Sequence, residues 1–129
     1  MKKLFILSIV AFSFIACGGK ESKNKDESAV VLSPEEQLIA DGKKLFNSNK
    51  AACFSCHQLD KKVIGPSVME IAKIYREQNA DMVAFLRKQA EPIVDPSQYN
   101  VMETNFAILK TMTDEELKSL EAYMMSVLD

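Results

Sequence analysis

Apolar residues recur at helical spacing along much of this chain, and no stretch reads as a convincing strand. Leu38, Gly42, Leu45 and Phe46 fall on one face of a first helix. Val68, Ile71, Ala72 and Tyr75 fall on one face of a second, which the pattern carries through Tyr75. A third helix is predicted from Asn79 to about Ala90, with Val83 and Leu86 inward. Residues 105–110 suit a short helical turn. Leu117, Leu120, Tyr123, Met124, Val127 and Leu128 give the last helix its apolar face. These elements predict an all-α fold of about four to five short helices, with no internal repeat.

Local punctuation sharpens the boundaries. Ser33-Pro34-Glu35-Glu36 is a helix start: Ser33 suits the cap, Pro34 the first helical position, and Glu36 completes a capping box. Thr113-Asp114-Glu115-Glu116 is a second capping box, with its acids placed for a helix amino terminus. Asn47-Ser48-Asn49 ends the first helix, and Ser67 is placed to cap the second. Gly42 weakens its helix, and a glycine on an apolar face implies close approach of another backbone. Residues 91–100 hold two prolines and no period, so they are predicted to be a loop, long for so small a domain and therefore functional.

The amino terminus reads differently. Lys2 and Lys3 precede an apolar run from Leu4 to Ile15, interrupted only by Ser8 and Ser13. That run is too short to span a bilayer and suits a signal peptide over residues 1–16. Phe14-Ile15-Ala16-Cys17 resembles the lipobox of bacterial lipoproteins, with Phe14 where Leu is usual. Cys17 is the expected lipidation site; the alternative is an ordinary signal peptide with Cys17 a bystander. Residues 17–31 are rich in Gly, Ser, Lys, Asp and Glu and read as a flexible tether. Fully stretched, that tether reaches roughly 50 Å. Residues 32–129 form the expected folded domain.

Composition narrows the function. The 129-residue chain is 47% hydrophobic, with no Trp and three cysteines, too few for a disulfide framework. Loss of Lys2 and Lys3 on cleavage leaves it more acidic than its formal charge of −2. An acidic chain without a basic run is not built for nucleic acid.

The stretch with the most chemistry is Cys53-Phe54-Ser55-Cys56-His57. A Cys-x-x-Cys-His sequence is the signature for covalent attachment of a c-type haem. Each thiol adds across one porphyrin vinyl group, and the imidazole that follows ligates the iron. Two other uses of such a pair fit less well. A thioredoxin-like pair wants a βαβ setting, which the pattern lacks. A zinc site needs four donors, and beyond these three residues the chain has no other His and only Cys17.

With these residues in hand, the chain resembles the small bacterial class I cytochromes c, over about residues 42–127. The resemblance implies the cytochrome c fold around one covalent haem, and a one-electron carrier rather than an enzyme. In that family an amino-terminal helix with a Gly and an aromatic crosses a carboxy-terminal helix that offers an aromatic; Gly42, Phe46 and Tyr123 match. The family also has a Gly-Pro after the haem motif, whose proline carbonyl accepts a hydrogen bond from the proximal imidazole. Gly65-Pro66 matches, although Pro66 also suits a plain turn.

His57 is the only His, so a bis-His iron within one chain is excluded and a Met thioether is the expected sixth donor. Met69, Met82, Met124 and Met125 lie in or beside predicted helices, where core filling is their ordinary role. Met112 immediately precedes the Thr113 cap. Met102 follows the irregular loop, and the family's Met ligand sits in such a loop shortly before the last helix. Met102 is therefore preferred over Met112, with Lys110 third, although Val101 and Glu103 flank it where many members have a proline.

The expected partners are redox proteins and, through the lipid anchor, a membrane. The expected location is the periplasm-facing side of a membrane in the cell envelope, and the expected state a monomer. Lys43, Lys44, Lys50, Lys61 and Lys62 flank the motif and form either a steering patch for an acidic partner or a solvated surface. Two rival functions remain at this point: a haem protein with an open sixth site for gas binding or peroxide reduction, and a haem-free thiol oxidoreductase. Peroxide chemistry would want a distal acid–base group, and there is no second His to supply one.

Overall fold

The computed structural model describes residues 31–129; the signal-peptide and Cys17 expectations, and the tether expectation up to its last residue, Val31, fall outside that range. Six α-helices follow in order: α1 (Pro34–Phe46), α2 (Val68–Gln78), α3 (Met82–Leu86), α4 (Tyr99–Glu103), α5 (Phe106–Leu109) and α6 (Asp114–Ser126). Two single 3₁₀ turns, Cys53–Ser55 and Pro96–Gln98, sit between them. Among the described residues there is no strand, only an isolated antiparallel bridge between His57 and Lys62.

The caps form as their sequences require. Ser33 accepts from the Glu36 amide while the Glu36 carboxylate accepts from the Ser33 amide. Thr113 and Glu116 repeat the arrangement at α6. Each reciprocal pair satisfies two helix-end N–H groups that have no partner within the helix.

α1 and α6 make the main helix–helix contact of the fold. Gly42 is buried at their crossing, because a Cβ there would overlap the Ser119 carbonyl oxygen and lie 2.9 Å from Tyr123 Cβ. The bare glycine lets the two backbones meet. One turn on, Phe46 meets Tyr123 edge to face, with centroids 5.3 Å apart and planes at 63°. The quadrupoles of two rings favour this geometry over face-to-face stacking. The core then fills from α2, α5 and α6 with Val68, Ile71, Leu109, Leu117 and Leu120.

Three boundaries differ from the pattern-based expectation. α2 runs past Tyr75 to Gln78. Asn79 does not open the third helix; it closes the second in the left-handed region at φ 48°, a conformation Asn tolerates better than most residues. Asp81 caps α3 instead, accepting from the Ala84 amide, and the helix stops at Leu86 rather than Ala90. Its inward residues are Met82 and Leu86, with Val83 only partly buried. The loop expected at 91–100 coils at its end into Pro96–Gln98 and runs straight into α4, which raises the helix number above the four to five expected.

Candidate functional site

Cys53, Cys56 and His57 open on one cavity of about 400 Å³. The connection from α1 makes this possible. Ala52 turns left-handed at φ 53°, and the Cys53–Ser55 turn follows, closed by His57 N–H donating to the Cys53 carbonyl at 2.9 Å. Both thiols are free and half-buried. Burial pushes the Cys53 thiol up to about 11, so it is a neutral thiol rather than a reactive thiolate at neutral pH.

His57 is fixed from below. Its Nδ1 lies 2.8 Å from the Pro66 carbonyl oxygen. A carbonyl only accepts, so Nδ1 carries the proton and donates, which leaves the Nε2 lone pair for a metal. Burial lowers the imidazole's proton affinity, with the Pro66 carbonyl opposing that effect. The neutral ring, the form that ligates metals, is thereby favoured. Gly65 is part of the same cradle: a Cβ there would overlap the ring at Cε1 and lie 2.8 Å from Nδ1. The loop is held by Gly65 N–H donating to the Cys56 carbonyl at 2.9 Å.

The remaining walls are mostly apolar. Phe46, Ile71, Tyr75 and Leu120 come from the packed helices, while Phe85, Leu86, Ile93, Val94 and Tyr99 come from the middle of the chain. Phe85, Tyr99 and Phe106 form an aromatic cluster with centroid separations of 5.6–6.4 Å. Spacing marks Phe46, Ile71, Tyr75, Leu86 and Leu120 as inward, but not Phe85, Ile93, Val94 or Tyr99, and it does not say that all nine meet at one cavity.

The methionines separate by position. Met82, Met102 and Met124 line the cavity. Met112 is 3% exposed in the core and does not line it; Met69 is 42% exposed on α2. Met102 is partly buried and lies in α4, not in an irregular loop. Lys110 is exposed and likewise away from the lining.

Two of the five lysines around the motif are paired with carboxylates. Lys50 pairs with Glu116, and Lys62 donates to Asp95 Oδ2 at 2.7 Å. Lys43, Lys44 and Lys61 are exposed and make no ion pair among the described residues. Lys62 and Ser97 together hold the Asp95 carboxyl below its usual range.

Two thiols, an imidazole with its Nε2 free, and an apolar cavity with a thioether on its wall fit a covalently attached porphyrin. Comparison with curated proteins returns no match. The family described as Cytochrome c matches residues 39–128, which runs from within α1 through α6 and takes in every cavity-lining residue named above. That family carries iron in covalently bound haem c, and the Cys53-x-x-Cys56 spacing fits the attachment site. By its helical architecture, its haem-attachment motif and this match over most of its length, the chain belongs to the cytochrome c family.

Proposed function

We propose that this chain is a monohaem electron carrier of the cell envelope, passing one electron at a time between redox proteins. The observation that carries the proposal is the convergence of Cys53, Cys56, His57 and Met102 on one apolar-walled cavity. Haem c, when bound, supplies an iron that alternates between ferrous and ferric. The chain's own residues do the rest. Cys53 and Cys56 would hold the porphyrin through thioethers. His57 offers Nε2 from below, and the Pro66 carbonyl holds its ring and raises its basicity. Met102, on the cavity wall, would supply its sulfur as a further donor, and Met/His ligation would raise the reduction potential. The apolar walls keep water out. A filled sixth position suits a carrier and removes the open site that gas or peroxide chemistry needs.

Intact mass of the matured protein tests this directly. It should exceed the polypeptide by one haem, and the addition should survive acid denaturation. The reduced spectrum should be sharp, low-spin and indifferent to carbon monoxide. Haem that extracts into acidic organic solvent overturns the attachment, and a carbon monoxide shift turns the assignment to an open-site protein.

Gly65 offers an independent check on the proximal side. In the haem-loaded protein, Gly65→Ala should push the imidazole off the Pro66 carbonyl, because the added Cβ overlaps the ring. The expected result is a mixed-spin spectrum and a stability loss of about 1–3 kcal/mol, the usual overpacking cost. A wild-type spectrum and melting curve would show that the loop yields without disturbing the ring.

We place the carrier at a membrane through a lipid on Cys17, a proposal motivated by the apolar run ending at Ala16 and the polar segment after Cys17. No helix of the described residues is long and apolar enough to cross a membrane. A fatty-acid probe should label the wild type and not Cys17→Ser. Equal fractionation of the two proteins in the soluble compartment would remove the anchor.

A further inference from the structure

We propose that Lys62 and Asp95 form a strap that positions the segment carrying Met102, holding residues 95–103 against the cavity. The effect of this strap at the iron rests on Met102 as the sixth donor; the strap itself does not.

Lys62 lies in the loop after the haem motif and is bridged in antiparallel fashion to His57. The same loop contributes Ile64, Gly65 and Pro66 to the cavity wall. Asp95 lies 33 residues on, in the stretch that contributes Pro92, Ile93 and Val94. The Lys62–Asp95 bond, 2.7 Å long, therefore ties the loop on the His57 side to the approach to α4.

Asp95 uses both carboxylate oxygens. Oδ2 accepts from Lys62 Nζ, and Oδ1 accepts from Ser97 Oγ at 2.6 Å. The Gln98 amide also donates to the Asp95 carbonyl, at 3.1 Å. The ion pair is thus coupled to the Pro96–Gln98 turn, which leads without a break into Tyr99–Glu103. At the far end, Lys88 Nζ donates to Glu103 Oε1 at 2.7 Å and stands 5.5 Å from the centroid of the Phe106 ring. Met102 lies between these two fastenings.

The segment needs fastening. None of its residues is fully buried, and α4 is only five residues long. An element with so little buried apolar surface belongs to the part of a structure that opens most readily. A pair whose carboxylate side chain is 19% exposed and whose ammonium is 53% exposed is weak in absolute terms. It is nonetheless enough to tilt the balance of such an element, and its contribution falls as salt screens it.

Hydrogen exchange on the haem-loaded full chain tests the strap. Lys62→Met removes the ammonium, and Asp95→Asn removes the charge while keeping an oxygen for Ser97. Each should speed amide exchange across Tyr99–Glu103 by about two- to fivefold, the effect of losing one exposed ion pair. The double variant should be no faster than either single one, because both remove the same interaction. Added salt should speed exchange of this segment more in the wild type than in the variants, where only the Lys88–Glu103 pair is left to screen. Lys61→Met, its exposed unpaired neighbour, should leave exchange unchanged. The rate at which added cyanide binds the ferric iron, which needs the sixth donor to leave, should rise by the same factor in the same two variants. Faster exchange with an unchanged cyanide-binding rate keeps the strap and removes Met102 from the iron. Unchanged exchange in Lys62→Met and Asp95→Asn overturns the strap, whatever the iron does.

Discussion

Gly42→Val is expected to cost about 3 kcal/mol, the upper end of the ordinary overpacking range. The reason is the identity of the atom it meets. The nearest obstacle to a Cβ at Gly42 is the Ser119 carbonyl oxygen, a backbone atom inside α6. A side chain can rotate away, but a helix backbone moves only with the whole helix. α1 and α6 must therefore separate, and the Phe46–Tyr123 edge contact separates with them. For a domain of this size, such a loss lowers the melting temperature by roughly 12–24 °C. Ala40→Val, at an exposed position on the same helix, should cost only the propensity difference of about 0.5 kcal/mol. Truncating Tyr123 in the Gly42→Val background should not restore stability, because the backbone clash remains. Equal melting of Gly42→Val and Ala40→Val would show that the crossing does not hold the fold together.

Met102→Ala and Met112→Ala should fail in opposite ways. Met112 is enclosed in the core and does not line the cavity. Its truncation should cost about 2–5 kcal/mol, as large-to-small core changes do, and leave the absorption spectrum alone. Met102 lines the cavity and is only partly buried. Its truncation should spare most of the stability, abolish the ferric charge-transfer band of a sulfur-ligated haem and lower the reduction potential. Carbon monoxide, excluded from the reduced wild type, should then bind fully. Met82 and Met124 also line the cavity, from α3 and α6. Both are buried in the core, and their alanine variants should resemble Met112→Ala in stability. Loss of the charge-transfer band in Met112→Ala but not in Met102→Ala would reverse the ligand assignment and leave the haem in place.

Much of the site is written in short-range spacing. Cys53, Cys56 and His57 are neighbours in sequence, and their chemistry depends on that spacing alone. The capping boxes at Ser33 and Thr113 are equally local, since each closes within three residues. Gly42 is legible for a different reason: an apolar helix face has no use for a glycine unless something presses against it. The error at Asn79 shows the limit of such signals. Asn suits both a helix start and a left-handed helix end, and the sequence pattern does not choose between them. In the fold, Asn79 terminates α2 and leaves Asp81 to begin α3.

Tertiary structure alone decided which distant residues meet. The irregular stretch before Met102 and the cap after Met112 favour Met102 in the sequence, but that Met102 reaches the cavity while Met112 does not is read only from the fold. The packing of α5 and α6 encloses Met112, and the Pro96–Gln98 turn carries Met102 to the cavity wall. The pairing of Lys62 with Asp95 has the same origin. In the sequence, Lys62 is one of five lysines near the motif. In the fold, it is neutralised by a carboxylate 33 residues away and ties one cavity-lining loop to another. Spacing over a few residues is set by helix geometry and cap chemistry, so the sequence carries it directly. Contacts across tens of residues depend on how the helices pack, and only the folded chain determines that.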